Sequence, residues 1–136
     1  MRVETSGLIA NLLDYHIFDF GYVYFFENVM VSEFNEGAVI EYHHLEEVLS
    51  FIFQYYKKNQ NIVYISNRVN SYSINPTDLL RFTDKFPNVK AVAVIIYNDT
   101  AKKMFRIEKM FLKRVVKNFS SLQEAYQWSL NFLNTQ

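Results

Sequence analysis

Few side chains in this sequence are of types that do chemistry, and they are scattered. There is no cysteine, and His16, His43 and His44 are the only imidazoles. A thiolate nucleophile, a disulfide framework and a cysteine-held metal are therefore excluded. His43 and His44 are adjacent, so on a helix they point roughly 100° apart and cannot both close on one metal ion. With His16 far away in sequence, no metal site is expected, and the histidine pair reads as the opening of a helix. No G-x-S-x-G turn presents a serine nucleophile. The three glycines, Gly7, Gly21 and Gly37, are too dispersed to cradle a phosphate. Asp14, Asp19, Glu27 and Glu33 read as solvated carboxylates of an edge hairpin rather than as a general acid and base. Neither catalysis nor a cofactor is expected.

What remains is the stretch 62–76, IVYISNRVNSYSINP. Ile62, Val63, Tyr64 and Ile65 have the length and β-branched content of a buried strand. The run then empties into polar residues, and Asn75-Pro76 has the cap and first-turn signature of a helix. α/β domains place binding groups at such a junction, because backbone amides and the helix dipole converge there. Asn67, Arg68, Asn70, Ser71, Tyr72 and Ser73 are the candidate partner-binding residues. Arg68 has two readings of equal weight. Its planar fork suits a carboxylate or phosphate on a partner, and it equally suits backbone carbonyls of its own loop.

The elements that must position this loop follow from periodicity. Aromatics at Phe18, Phe20, Tyr22, Tyr24 and Phe26 alternate through 15–27, which predicts one strand with those rings on one face. After a turn at Glu27-Asn28, residues 29–34 make a second strand, antiparallel to the first. Leu45, Val48, Leu49, Ile52, Phe53 and Tyr56 mark the inner face of a helix over 42–58. A helix over 75–85 buries Leu79, Leu80, Phe82 and Phe86. The unbroken apolar run 91–97, AVAVIIY, predicts a central parallel strand covered on both faces. Asn98-Asp99-Thr100 caps a helix over 99–111, whose inner stripe is Ala101, Met104, Phe105, Glu108, Phe111 and Leu112, with Ile107 and Met110 lying off it. Val115 and Val116 lie in a short edge strand within 113–119, and Ser121-Leu122-Gln123-Glu124 is a capping box that opens a closing helix. Residues 1–13 read either as a short helix or as an extra edge strand, a peripheral extension of one domain spanning 1–136.

Composition bounds the rest. Fourteen basic and fourteen acidic residues cancel, which removes the long-range field that nucleic-acid or anionic-membrane binding relies on. The basic cluster from Lys102 to Lys117 reads as a solvated face. No segment reads as a signal peptide or membrane span, so a cytoplasmic protein is expected. Aromatic edge strands make a homodimer one expectation for its assembly.

This element order, closed by Ser121-Leu122-Gln123-Glu124-Ala125, resembles the STAS superfamily of bacterial anti-sigma-factor antagonists. The segment Tyr64-Ile65-Ser66-Asn67-Arg68-Val69-Asn70-Ser71-Tyr72-Ser73 is similar to one in small, largely uncharacterised bacterial STAS-like proteins. The resemblance implies an α/β fold of STAS-like (SpoIIAA-like) type, in which an N-terminal antiparallel hairpin leads into a mainly parallel five-stranded sheet with four helices. It implies a non-catalytic regulatory module that docks a protein partner through the loop after the third strand. Antagonists carry a phosphorylated serine in that loop, within an Asp-Ser-Ser-Gly-like motif. Ser71 and Ser73 stand in the corresponding loop as candidate phosphorylation sites, without the preceding Asp or the following Gly. Some STAS-like proteins are grouped with lipid-transfer domains, which implies as the alternative a small apolar or lipid-like ligand between the aromatic hairpin and a helix.

Overall fold

A computed structural model of the chain describes residues 1–136. Its centre is set by the two most apolar runs. Strands β5 (Ile62–Asn67) and β7 (Val89–Ile95) lie side by side and parallel, as unbroken apolar runs do when both sheet faces are covered. β3 (Val29–Phe34) flanks β5, and β8 (Val115–Phe119) flanks β7, both parallel. β2 (Gly21–Phe25) and β1 (Asp14–Phe18) extend the sheet antiparallel beyond β3, giving six strands in the order β1-β2-β3-β5-β7-β8. Two residues of β4 (Val39–Ile40) pair with two of β6 (Ser73–Ile74) in a separate parallel ladder.

Helices α1 (Tyr42–Ile52), α2 (Pro76–Lys85) and α3 (Asp99–Phe111) cover one face of the main sheet. α4 (Leu122–Asn134) and the N-terminal 3-10 turns Val3–Thr5 and Gly7–Asn11 cover part of the other. The second, third and closing helices start where the sequence caps them: Asn75, Asn98 and Ser121 each accept a first-turn backbone amide.

Three expectations are revised. The sheet has six strands rather than five, because the strand expected over 15–27 is two. A tight turn at Asp19-Phe20 splits it, and the chain leaves the turn into β2 through Gly21 at φ +145°. A Cβ on Gly21 would lie 2.5 Å from Phe34 Cα, so only glycine lets β2 approach β3 this closely. The turn also shifts the phase of the alternation. Phe18 and Phe20 join the core under α1–α3, whereas Tyr24 and Phe26 join the core under α4.

The first helix stops at Ile52 rather than Lys58. The Tyr56 hydroxyl, drawn down to the β2–β3 turn, donates to the carbonyls of Phe26 (2.7 Å) or Val29 (2.8 Å). Asn88 then donates to the carbonyls of Lys58 and Gln60 at 2.6 and 2.8 Å, which holds the irregular link in place of further helix. Finally, Phe111, expected on the inner stripe of α3, ends the helix on its exposed side, next to Ile107 and Met110.

Candidate functional site

β5 runs toward the loop with alternating sides, so its polar end serves two faces. Ser66 points to the α1–α3 side and Asn67 to the α4 side. Each anchors a buried polar network at the carboxyl ends of the parallel strands, where open α/β sheets bind ligands.

On the α1–α3 side, Arg68 turns inward. Its guanidinium makes a two-pronged ion pair with Glu108 of α3, Nη1 to Oε2 at 2.7 Å and Nη2 to Oε1, while Nε donates to Ser66 Oγ at 3.1 Å. Both side chains are almost wholly buried. Ser66 Oγ also bonds the Tyr72 hydroxyl at 2.9 Å, and the guanidinium lies 5.6 Å from the centre of the Tyr72 ring. Burial pushes the Tyr72 phenol above its ordinary pKa, against the pull of Arg68. Next to it the Ser32 and Tyr64 hydroxyls bond at 2.6 Å across the β3–β5 ladder.

On the α4 side, Asn67 Nδ2 donates to Glu33 Oε2 at 2.8 Å and its Oδ1 accepts from the Tyr97 hydroxyl at 2.8 Å. The Val3 amide donates to the same carboxylate oxygen at 2.8 Å. Burial pushes the Glu33 carboxyl above its ordinary pKa, opposed by the Val3 and Asn67 hydrogen bonds. Burial, with Glu33 nearby, pushes the Tyr97 phenol up to about 12.

Of the six residues expected to meet a partner, Asn67, Arg68 and Tyr72 therefore have buried internal partners, and Arg68 takes the loop-anchoring reading with a carboxylate in place of carbonyls. Asn70 is half-buried, and Ser71 and Ser73 are exposed. These three sit on a crossover knitted to the β3–β4 loop. Asn70 Nδ2 donates to Phe34 O (2.9 Å), the Ser71 amide to Glu36 Oε2 (2.8 Å), the Gly37 amide to Ser71 O (2.7 Å) and the Ser73 amide to Ala38 O (3.0 Å). A small crevice separates Ser71 from Asn98, Thr100 and Ala101 at the start of α3.

Sequence reasoning missed Glu108, Glu33, Tyr97 and Glu36 as members of these networks. One had a visible signal, since Glu108 is the one charge in an otherwise apolar helix stripe, whereas Glu33, expected to be solvated, lies instead in a strand buried at all six positions. A buried carboxylate demands a partner, and Arg68 was the cation standing alone.

A wide, open groove of about 570 Å³ lies on the same side of the molecule, with Asp19, Glu36, His43, His44 and Glu47 among its walls. No three of its carboxylates and imidazoles come together as metal ligands would. Between the β1–β3 meander and α1 the core is filled: the void there, lined by Val23, Met30, Phe34, Leu45 and neighbours, holds about 10 Å³, room for one water. No helix is long and apolar enough to cross a membrane.

No family model matches the chain, and no curated protein matches it. Among solved structures it is similar to an uncharacterized protein of the DUF3478 family with a SpoIIAA-like fold from Shewanella loihica PV-4. That likeness has a TM-score of 0.54 and 13% identity, and covers 85% of this chain and 90% of the other. The likeness is one of architecture, and with the strand order and helix placement above it shows that this chain has a SpoIIAA-like α/β fold.

Proposed function

We propose that the chain is a non-catalytic, regulatory protein-interaction module that docks a partner protein through the crossover after β5. The observation that carries this is the way residues 69–73 are held. Arg68 and Tyr72 pin the segment from beneath through Glu108 and Ser66, and the bonds to 35–38 brace it from the side. Asn70, Ser71 and Ser73 are thus presented on a fixed backbone. A loop whose ordering is already complete loses little conformational entropy when a partner covers it.

Ser71 and Ser73 are also the proposed points of control. A phosphate on Ser71 would place about two negative charges beside Glu36, whose carboxylate accepts the Ser71 amide. Like charges there would loosen the crossover from the β3–β4 loop, while the amides that open α3 lie across the crevice.

The test is a paired substitution, Ser71→Arg with Ser73→Arg, both at exposed positions. Photo-crosslinking through a residue placed at Thr77, followed by identification of the bound protein, should lose its product in the double variant while the melting temperature stays within about 2 °C. An undiminished crosslink would remove the crossover from the reading.

A further inference from the structure

The neutral charge total conceals a strong separation. Residues 1–56 carry nine of the fourteen Asp and Glu and a single Arg, at position 2, whereas residues 57–136 carry the other thirteen basic residues and five acidic ones. The fold keeps the halves apart. Residues 14–52 build one end of the sheet, β1 and β2 with α1 above them, and residues 89–119 build the other, β7 and β8 with α3 above them.

Both ends of the sheet are open strands. β1 pairs only with β2 and β8 only with β7. β1 is lightly guarded for an open edge, since it contains neither Lys nor Pro and its one charge, Asp14, stands at its first residue, bonded to the Tyr55 hydroxyl. Leu13, Tyr15 and Ile17 are exposed beside it, Ile17 at 58%, and Val115 on β8 is 48% exposed. The two edges also match in direction and face. β1 and β8 run parallel, because two antiparallel steps separate β1 from β3 and only parallel steps separate β3 from β8. Tyr15 lies against Tyr24 on the α4 face, and Phe119 lies against Trp128 on that same face, with Val115 and Lys117 in phase with it.

We propose that copies of this chain associate head to tail, the β8 edge of one adding to the β1 edge of the next and continuing the sheet in parallel. On the α4 face Val115 and Phe119 then meet Tyr15 and Ile17. On the opposite face Lys102, Arg106 and Lys109 of α3 approach the outer face of α1 in the next copy, which carries Glu46 and Glu47. Charge decides between this and a symmetric dimer. Joining two β1 ends sets carboxylates against carboxylates, and joining two β8 ends sets lysines against lysines, whereas only the unlike pair is complementary. Such a contact is heterologous, so it repeats and does not stop at two copies unless its rotation closes a ring.

Sedimentation velocity of the purified chain tests this. At about 0.01 M ionic strength, where the Debye length is about 30 Å, species larger than a dimer should grow with protein concentration, and at about 1 M, where it is about 3 Å, they should disperse to monomer. Ile17→Lys and Lys117→Glu each block one edge at an exposed position. Each alone should be monomeric at low salt, and an equimolar mixture should stop at a dimer, since each supplies the edge the other lacks. If circular dichroism shows either variant unfolded, the salt series on the native chain decides alone. A chain monomeric at low salt, a dimer indifferent to salt, self-association of either variant alone, or a mixture of folded variants that stays monomeric would overturn the proposal. So would a low-salt monomer that co-sediments with phosphatidylserine vesicles, which would assign the basic end to an anionic surface instead.

Discussion

Arg68 and Glu108 show how a residue that reads as a binding group becomes a structural one. A buried pair of this kind adds little over a well-packed apolar pair, but breaking it strands a charge in the core. Arg68→Ala or Glu108→Ala should therefore cost about 3–5 kcal/mol in urea denaturation, while Arg68→Met with Glu108→Leu should recover most of that loss. A double variant as unstable as either single one would contradict the assignment. Removing Arg68 accordingly reports on stability and not on docking. His44 makes a second case. Its Nδ1 accepts the Glu41 amide at 2.9 Å, closing the first turn of α1, and burial, then the neighbouring His43, lowers its pKa from the ordinary 6.5. The native form is the neutral one, so the unfolded chain takes up this proton first. Stability from His44 is complete above pH 6.5 and is lost as pH falls through the lower native value. The melting temperature of His44→Gln should consequently fall less steeply over that acid interval than that of the native chain, and equal slopes would exclude the effect.

Elements were legible where local rules govern them. The helix over 99–111 and the starts of α2 and α4 follow from Asn98, Asn75 and Ser121, because capping is settled within a few residues. β7 was legible as central because its run from Ala91 to Ile95 is apolar at every position, as no single-faced strand would be. The β1–β2 break was not, since the aromatic alternation runs through it unbroken and the only mark is one glycine. That glycine can be tested at the scale of the strand pair it permits. Gly21→Ala should cost about 3 kcal/mol or more, from the backbone strain at φ +145° and the clash with β3. Gly7→Ala, with nothing within 4 Å of the added carbon, should change stability by less than about 0.5 kcal/mol. Comparable losses in thermal melts would show that the approach of β2 to β3 is not what holds Gly21. The β4–β6 ladder was hidden for a different reason. Two residues a side carry no periodicity, and their pairing depends on the crossover already being in place. In the candidate site the loop was legible from its abrupt polarity, but which side chains face outward was not, because that depended on a carboxylate forty residues away.

At the scale of the molecule, composition reports only sums, and a sum of zero is silent about arrangement. The division of charge between the two ends of the sheet becomes visible once the strand order is known, since that order keeps the first third of the chain at one edge and sends later strands to the other. The same order leaves the single tryptophan in an informative place. Trp128 stacks on Phe132 and leans on Phe119 at the end of β8, with the Lys117 ammonium 5.8 Å from its ring. Its fluorescence, excited at the red edge where the ten tyrosines absorb least, is thus an intrinsic reporter of that margin of the sheet, sensitive to whatever comes to cover it and requiring no attached dye.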